Sequence, residues 1–146
     1  MMKKILSLLA IVSLTTSVAM ADVKKVAVVD VQAVVAKSVQ VQNLKKEQDA
    51  KRKEMAQFIK KAGEDIKKQT TEAKKQELAK KYDNELNAKR EANEKAYKTK
   101  LQAIDKNISD TIVQQAKAMG YDLVLTKGVV LYGGDDITGA VSKVVK

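Results

Sequence analysis

Residues 45–100 run for 56 positions without a proline and with a single glycine, Gly63. They are drawn mostly from Ala, Lys, Glu, Gln, Leu and Arg, the strongest helix formers, so the segment predicts a long helix. Periodicity separates it from a charged disordered stretch. Met55, Ile59, Ala62 and Ile66 step by 4, 3 and 4, and Leu101, Ile104, Ile108 and Ile112 step by 3, 4 and 4, each an apolar stripe along one helical face. The stripe is thin. Only eight large apolar or aromatic residues occupy the segment: Met55, Phe58, Ile59, Ile66, Leu78, Tyr82, Leu86 and Tyr97. Between Tyr82 and Tyr97 it falls to Leu86, Ala88, Ala92 and Ala96, so close helix approach there rests on alanine rather than on bulky knobs.

Short strand signals flank this helix. Val26, Ala27, Val28 and Val29 form a mostly β-branched run, and Asp30 is a natural N-cap for a brief helix over residues 31–36. Toward the other end, residues 122–125, a turn at 126–128 and residues 129–132 predict an antiparallel hairpin. Gly133, Gly134, Asp135 and Asp136 then break the strand and cap a last amphipathic helix carrying Ile137, Val141, Val144 and Val145, while Gly120 suits the end of the long helix.

A lone hairpin is marginal in water and an isolated strand cannot stand alone, so the two ends are predicted to meet in one sheet. An unbroken helix of roughly 80 residues would hold them about 120 Å apart, so the helix must fold back unless strands pair between chains. Gln69, Thr70 and Thr71 are the weakest place for continued helix, with Ala62 and Gly63 second. Lys60, Lys67, Lys74 and Lys81 recur every seven residues straight across Thr70 and Thr71, which speaks against a turn there. The expected class is α+β, a small body of three short strands carrying a long α-helical hairpin arm. Body is expected over residues 22–44 and 101–146, and arm over 45–100.

Charge follows the same division. Residues 45–100 hold 18 Lys and Arg against 11 Asp and Glu, a net of +7, out of +10 for the whole chain. The Lys repeat reads first as a solvated face, and alternatively as a strip for an anionic partner such as anionic lipid or lipopolysaccharide. The eight apolar arm residues likewise have two readings, packing inside the hairpin or a surface that retains a partner.

Residues 1–21 read as a cleavable export signal. Lys3 and Lys4 precede a short apolar run, and Ala19, Met20 and Ala21 give the small-x-small pattern of a cleavage site; the run falls short of a spanning helix. The mature chain is expected to begin at Asp22, which is not Cys and so carries no lipid. Although export permits disulfides, the chain has no Cys, and it has no His, the commonest general base and transition-metal ligand. One Phe, four Tyr and no Trp also leave few large side chains for a core.

Other constellations point away from catalysis. Asp135 and Asp136 beside two glycines read as loop and cap rather than as a catalytic carboxylate pair or cation site. Glu64 with Asp65, and Glu91 with Glu94, sit among lysines as helix-surface partners. The pair Gly133-Gly134 is far too little for a nucleotide-binding loop. Nucleic acid is a poor fit, because the positive charge is interleaved rather than clustered and aromatics are scarce.

The run Lys25-Val26-Ala27-Val28-Val29-Asp30, then Asp122-Leu123-Val124-Leu125, Val130-Leu131-Tyr132, and Asp136-Ile137-Thr138 with Val141, Lys143, Val145 and Lys146, resembles the Skp (OmpH-like) family of periplasmic chaperones. The layout matches over the whole mature chain; the specific matches lie at its two ends, while the arms match in character only and are shorter. The resemblance implies a homotrimer in which three chains pool their strands into a barrel-like body with three helical arms around a cavity. It further implies that unfolded outer-membrane proteins are held there without ATP or any cofactor. Under that reading Val26, Val28, Leu123, Leu125 and Val129 would bury themselves against copies of the chain. The client-binding candidates would be Met55, Phe58, Ile59, Ile66, Leu78, Tyr82, Leu86 and Tyr97, with Lys60, Lys67, Lys74 and Lys81 as basic arm residues. No lipopolysaccharide-binding site is carried over from the family, because its residues are not matched in these arms. A non-chaperone envelope adaptor or spacer, binding an anionic surface through the same lysines, is the alternative.

Overall fold

A computed structural model describes residues 24–146. The expected export signal and the mature start at Asp22 lie outside the described residues. The described chain runs β1 (Val26–Val29), α1 (Val31–Lys37), α2 (Val39–Lys67), α3 (Glu72–Ala118), β2 (Leu123–Thr126), β3 (Asp135–Asp136) and α4 (Thr138–Val144). It is α+β, as the sequence predicts, with a three-stranded sheet at one end of a long helical hairpin.

The sheet is built around β1, in the order β2-β1-β3, and both pairings are parallel. Val26 to Val29 lie opposite Leu123 to Thr126, and Ala27 and Val28 lie opposite Asp135 and Asp136. A parallel neighbour demands a crossover connection, and between β1 and β2 the entire helical hairpin is that crossover. Strand β1 is flanked on both edges and buried on both faces at Ala27, Val28 and Val29, which is why it reads as an uninterrupted apolar run.

The antiparallel hairpin expected over residues 122–132 does not form, and this corrects the sequence reading. After β2 the chain takes one turn of 3-10 helix at Lys127–Val129, crosses the sheet, and sets Asp135 and Asp136 on the far edge of β1. Residues 129–132 have the composition of a strand but find no strand partner among the described residues. Val129, Leu131 and Tyr132 are 72%, 104% and 99% exposed. Strand propensity is mostly a fit to neighbouring strands, and here none is supplied.

One face of the sheet is covered by the end of α3, by α1 and by α4. Their meeting side chains are Val34, Ile108, Ile112, Ala116, Ile137, Val141 and Val145, packed on Ala27 and Val29. Ile108, Ile112 and Ala116 extend the sequence stripe at i, i+4 spacing, whereas Leu101 of the same stripe is exposed. In α4, Val144 also turns outward. The helix ends are closed by local chemistry. Asp30 accepts from the Ala33 N–H at 3.0 Å, and Tyr121 N and Gly120 N return to Ala116 O and Lys117 O, with Gly120 at φ +80. Ser38, wholly buried, caps α2 and donates to the Lys146 carbonyl at 2.5 Å. The two ends of the chain are tied directly: Asp30 N donates to the Thr138 hydroxyl at 2.8 Å and Lys25 N to the Asp122 carboxylate at 3.0 Å.

Gly134 is required twice over. Its φ is +84, and a β-carbon there would sit 2.5 Å from Val28 Cγ2. Gly133 has a similar φ, +86, but open space around it. Gly134→Ala is therefore expected to destabilise by about 2 kcal/mol or more, and Gly133→Ala by less, since only the backbone cost applies there. Thermal melts of the two variants check the order.

The hairpin turns at residues 68–71. Gln69 Nε2 donates to Asp65 O, Gln69 N to Ile66 O, and Thr71 caps α3 by accepting from Lys74 N at 3.4 Å. The seven-residue Lys repeat does not prevent the turn, because solvated lysines impose nothing on the backbone while Thr71 offers a cap. Lys60 and Lys67 end on α2, and Lys74 and Lys81 on α3.

Candidate functional site

The arms are held together lightly. On α2 only Leu44 and Ala62 are buried, and on α3 the buried residues are Ile108, Ile112 and Ala116, all inside the body. From Glu72 to Asn107, α3 contains no buried residue. Alanines at 92 and 96 cannot close the seam, and polar contacts take their place. Asn93 Nδ2 donates to Gln48 Oε1 at 3.2 Å, Lys100 Nζ lies 2.6 Å from both Glu47 oxygens, and Lys89 approaches Glu54 at 3.9 Å. Exposed pairs of this kind contribute about 0–1 kcal/mol each, so they set register more than strength.

The eight apolar arm residues are placed unevenly. Phe58, Ile59, Ile66, Tyr82 and Leu86 come together near the tip around a cleft of about 230 Å³, completed by Ala62 and Ala79. Phe58 and Tyr82 meet edge to face with centroids 5.6 Å apart, and Lys89 Nζ stands 5.4 Å from the Phe58 ring centre. The Tyr82 hydroxyl donates to Asp65 at 2.8 Å. That bond holds the Asp65 carboxyl below its usual range and raises the Tyr82 phenol. Asp65 was read from sequence only as a partner for neighbouring lysines. Its link to Tyr82 crosses the hairpin, and no sequence signal names it until the turn is placed.

Met55 lies in the mid-arm groove with Ala92 and Ala96, and Leu78 is half-buried near the tip. Tyr97 is 38% exposed and joins Val41, Leu44 and Leu101 in a groove of about 400 Å³ at the arm root. Ile59 is 50% exposed despite its place in the tip cluster. Ile59 and Tyr97 are thus exposed, whereas Met55, Phe58, Ile66, Leu78, Tyr82 and Leu86 are partly buried in the hairpin. Lys60, Lys67, Lys74 and Lys81 are all exposed, and none is within ion-pair distance of a carboxylate among the described residues.

Thin packing predicts uneven dynamics. Amide exchange over residues 60–81 is expected to be fast compared with Val26–Val29 and Leu123–Thr126, because few buried contacts oppose local opening of the arm. Uniform protection in a hydrogen-exchange experiment would count against it.

In the body, Val28 is already buried within its own chain beneath Gly134, Val26 and Leu125 are half-buried, and Leu123 and Val129 are exposed. Sequence reasoning passed over Leu131 and Tyr132 as site residues; the signal was an apolar run after β2 with no second strand to receive it. Beside them Asp136 is tied down. Its carboxyl is lowered to about 2, first by the Thr138 side chain, then by the Thr138 N–H at 2.9 Å and by Lys127 at 3.3 Å. A depressed carboxyl stabilises above its unfolded value, near 4, and that contribution is lost as pH falls through about 2. Acid unfolding followed by circular dichroism should therefore show Asp136→Asn less stable than the native sequence at neutral pH, with the gap closing between pH 4 and pH 2.

A two-helix arm rooted in a small parallel sheet, basic and incompletely packed along its length, is the geometry on which the comparisons bear. No curated protein matches the sequence. The chain does match the family described as outer membrane protein (OmpH-like) over residues 25–145, which takes in the sheet, both arms and α4. That family comprises periplasmic chaperones of outer-membrane proteins. The chain belongs to the OmpH-like outer membrane protein family.

Proposed function

We propose that the mature protein is an ATP-independent periplasmic holdase that assembles as a homotrimer and keeps unfolded outer-membrane proteins from aggregating in a cavity between its arms. The observation that carries this reading is the arm itself: a hairpin of 29 and 47 residues per helix, net +7 over residues 45–100, in which none of the eight large apolar side chains is fully buried. An unfolded β-barrel protein presents alternating apolar side chains. Against such a client, positive arms raise the encounter rate, and many weak apolar contacts from Met55, Phe58, Ile59, Ile66, Leu78, Tyr82, Leu86 and Tyr97 retain it. No single contact dominates, which suits clients of different sequence.

The trimer is supported by what one chain leaves unfinished. Val129, Leu131 and Tyr132 stand in solvent, Leu123 is 45% exposed, and β2 has an open edge. Large apolar side chains and a bare strand edge side by side call for a neighbouring chain. The test is suppression of aggregation when an unfolded outer-membrane protein is diluted from denaturant without nucleotide. A holdase suppresses it at stoichiometric amounts; an envelope spacer binding an anionic surface through the lysines would not.

A further inference from the structure

The tip of the arm carries charge of one sign at close quarters. Residues 60–81, which take in the end of α2, the bend and the start of α3, hold eight Lys against Glu64, Asp65, Glu72 and Glu77, a net of +4. Such a tip repels itself. Among the described residues, one side-chain hydrogen bond joins this end of α2 to α3: the Tyr82 hydroxyl donates to the Asp65 carboxylate at 2.8 Å. On its own helix Asp65 faces Lys61 and Lys68, the latter at 3.5 Å; from α3 Tyr82 reaches it, with Glu85 acting on the phenol. The same Tyr82 ring stands edge to face on Phe58, and both rings line the apolar cleft between the helices. Lys89 approaches Phe58 as well and lies 3.9 Å from Glu54. One carboxylate therefore holds in place the ring that closes on the tip's apolar cluster.

We propose that Asp65 and Tyr82 form an acid-released clasp: ionised Asp65 holds the Tyr82 ring on Phe58, and its protonation frees that ring to swing away and uncover the cleft. A hydrogen bond to a charged acceptor is roughly twice as strong as a neutral one, so protonation weakens the tie and at the same time removes an anion from among the lysines. The Tyr82 bond, then Lys68 and Lys61, hold the Asp65 carboxyl below its usual range, so the clasped tip is the form that favours the ionised group. The clasp therefore contributes fully above the ordinary carboxylate value, near 4, and is lost as pH falls through the lowered one. Its use rests on the holdase reading and deepens it: an arm unclasped in acid offers more apolar surface at a pH that itself unfolds proteins.

Phe58 is the chain's single Phe, so labelled phenylalanine gives one ring signal, at the tip. The experiment follows that signal by NMR as the mature protein is acidified from neutral pH, with a neutral nitroxide in solution to read ring exposure and the Val141 methyl signals to read the folded body. Broadening of the native Phe58 signal is expected to rise about threefold or more as pH falls below about 4, while the Val141 signals hold. Asp65→Asn and Tyr82→Phe should show at neutral pH the exposure that the native protein reaches only in acid, and should not titrate; Glu54→Gln should titrate as the native protein does. A native Phe58 signal indifferent to pH, one that opens only together with the body, a response that survives in Asp65→Asn, or one that vanishes in Glu54→Gln would overturn the proposal. The holdase reading is separable in the same samples. If the native protein suppresses aggregation of an unfolded outer-membrane protein but Phe58 ignores pH, the clasp fails alone. If Phe58 titrates as stated but aggregation proceeds, the holdase reading fails and the clasp stands.

Discussion

Leu131→Asp combined with Tyr132→Asp is expected to leave each chain folded and to convert the proposed trimer to monomers. In a single chain both side chains are essentially fully exposed and touch no core residue, so the substitution removes nothing the protomer needs. In an assembly that covers them, each new carboxylate would be buried against a symmetry copy without a partner. Burying an unpaired charge costs several kcal/mol per site, and a threefold arrangement repeats the cost at every interface. Sedimentation equilibrium reads the outcome, with circular dichroism as the check on folding; an intact trimer would refute the assembly mode. Leu123→Asp should act in the same direction. Because Leu123 lies on β2 beside Val26, that variant also tests the sheet itself.

The second large effect is kinetic. Reversing Lys60, Lys67, Lys74 and Lys81 to Glu takes the arm segment from +7 to about −1, a change of about eight units by simple charge reversal. Association with an unfolded outer-membrane protein is expected to slow by roughly tenfold or more at low salt, while the dissociation rate changes little. Raising salt should have a similar effect on the native protein, since exposed charges are screened over about 8 Å at 0.15 M. Helix content should survive. Lys and Glu have similar propensities, and the local costs offset: Glu at 67 opposes the dipole at the end of α2, while Glu at 74 completes a Thr-x-x-Glu capping box with Thr71. Stopped-flow binding decides it. An association rate indifferent to both salt and reversal would leave the lysines as a solubilising face.

The parts of this fold legible in the sequence are those that local chemistry specifies. β1 announces itself as a β-branched run ending at a capping Asp30, the long helix by composition, its end by Gly120, and the turn by Gln69, Thr70 and Thr71. The misreadings have a common cause, which is that they concern partners. Residues 129–132 carry strand composition, but a strand exists only where another strand accepts it, and Asp135 and Asp136, with no such composition, take the place beside β1. The tip cluster of Phe58, Tyr82 and Asp65 depends on which residues face each other across the hairpin, and that register appears only once the turn is fixed to the residue.

Because the arm is the crossover between two parallel strands, it also governs how the body is made. Lys25 and Asp122, which clasp the start of β1 to the start of β2, are 97 positions apart. In chain order β1 comes first and can pair with neither β2 nor β3 until the whole arm has followed. Left flexible, so long a loop would be slow to close and would leave an apolar strand exposed to aggregation. Helices form locally and quickly, and a hairpin bent at residues 68–71 returns the chain to its starting point before any long-range pairing is needed. The arm thus shortens the search by which its own body closes. Damage at the tip should show itself in refolding rate more than in the stability of the finished sheet.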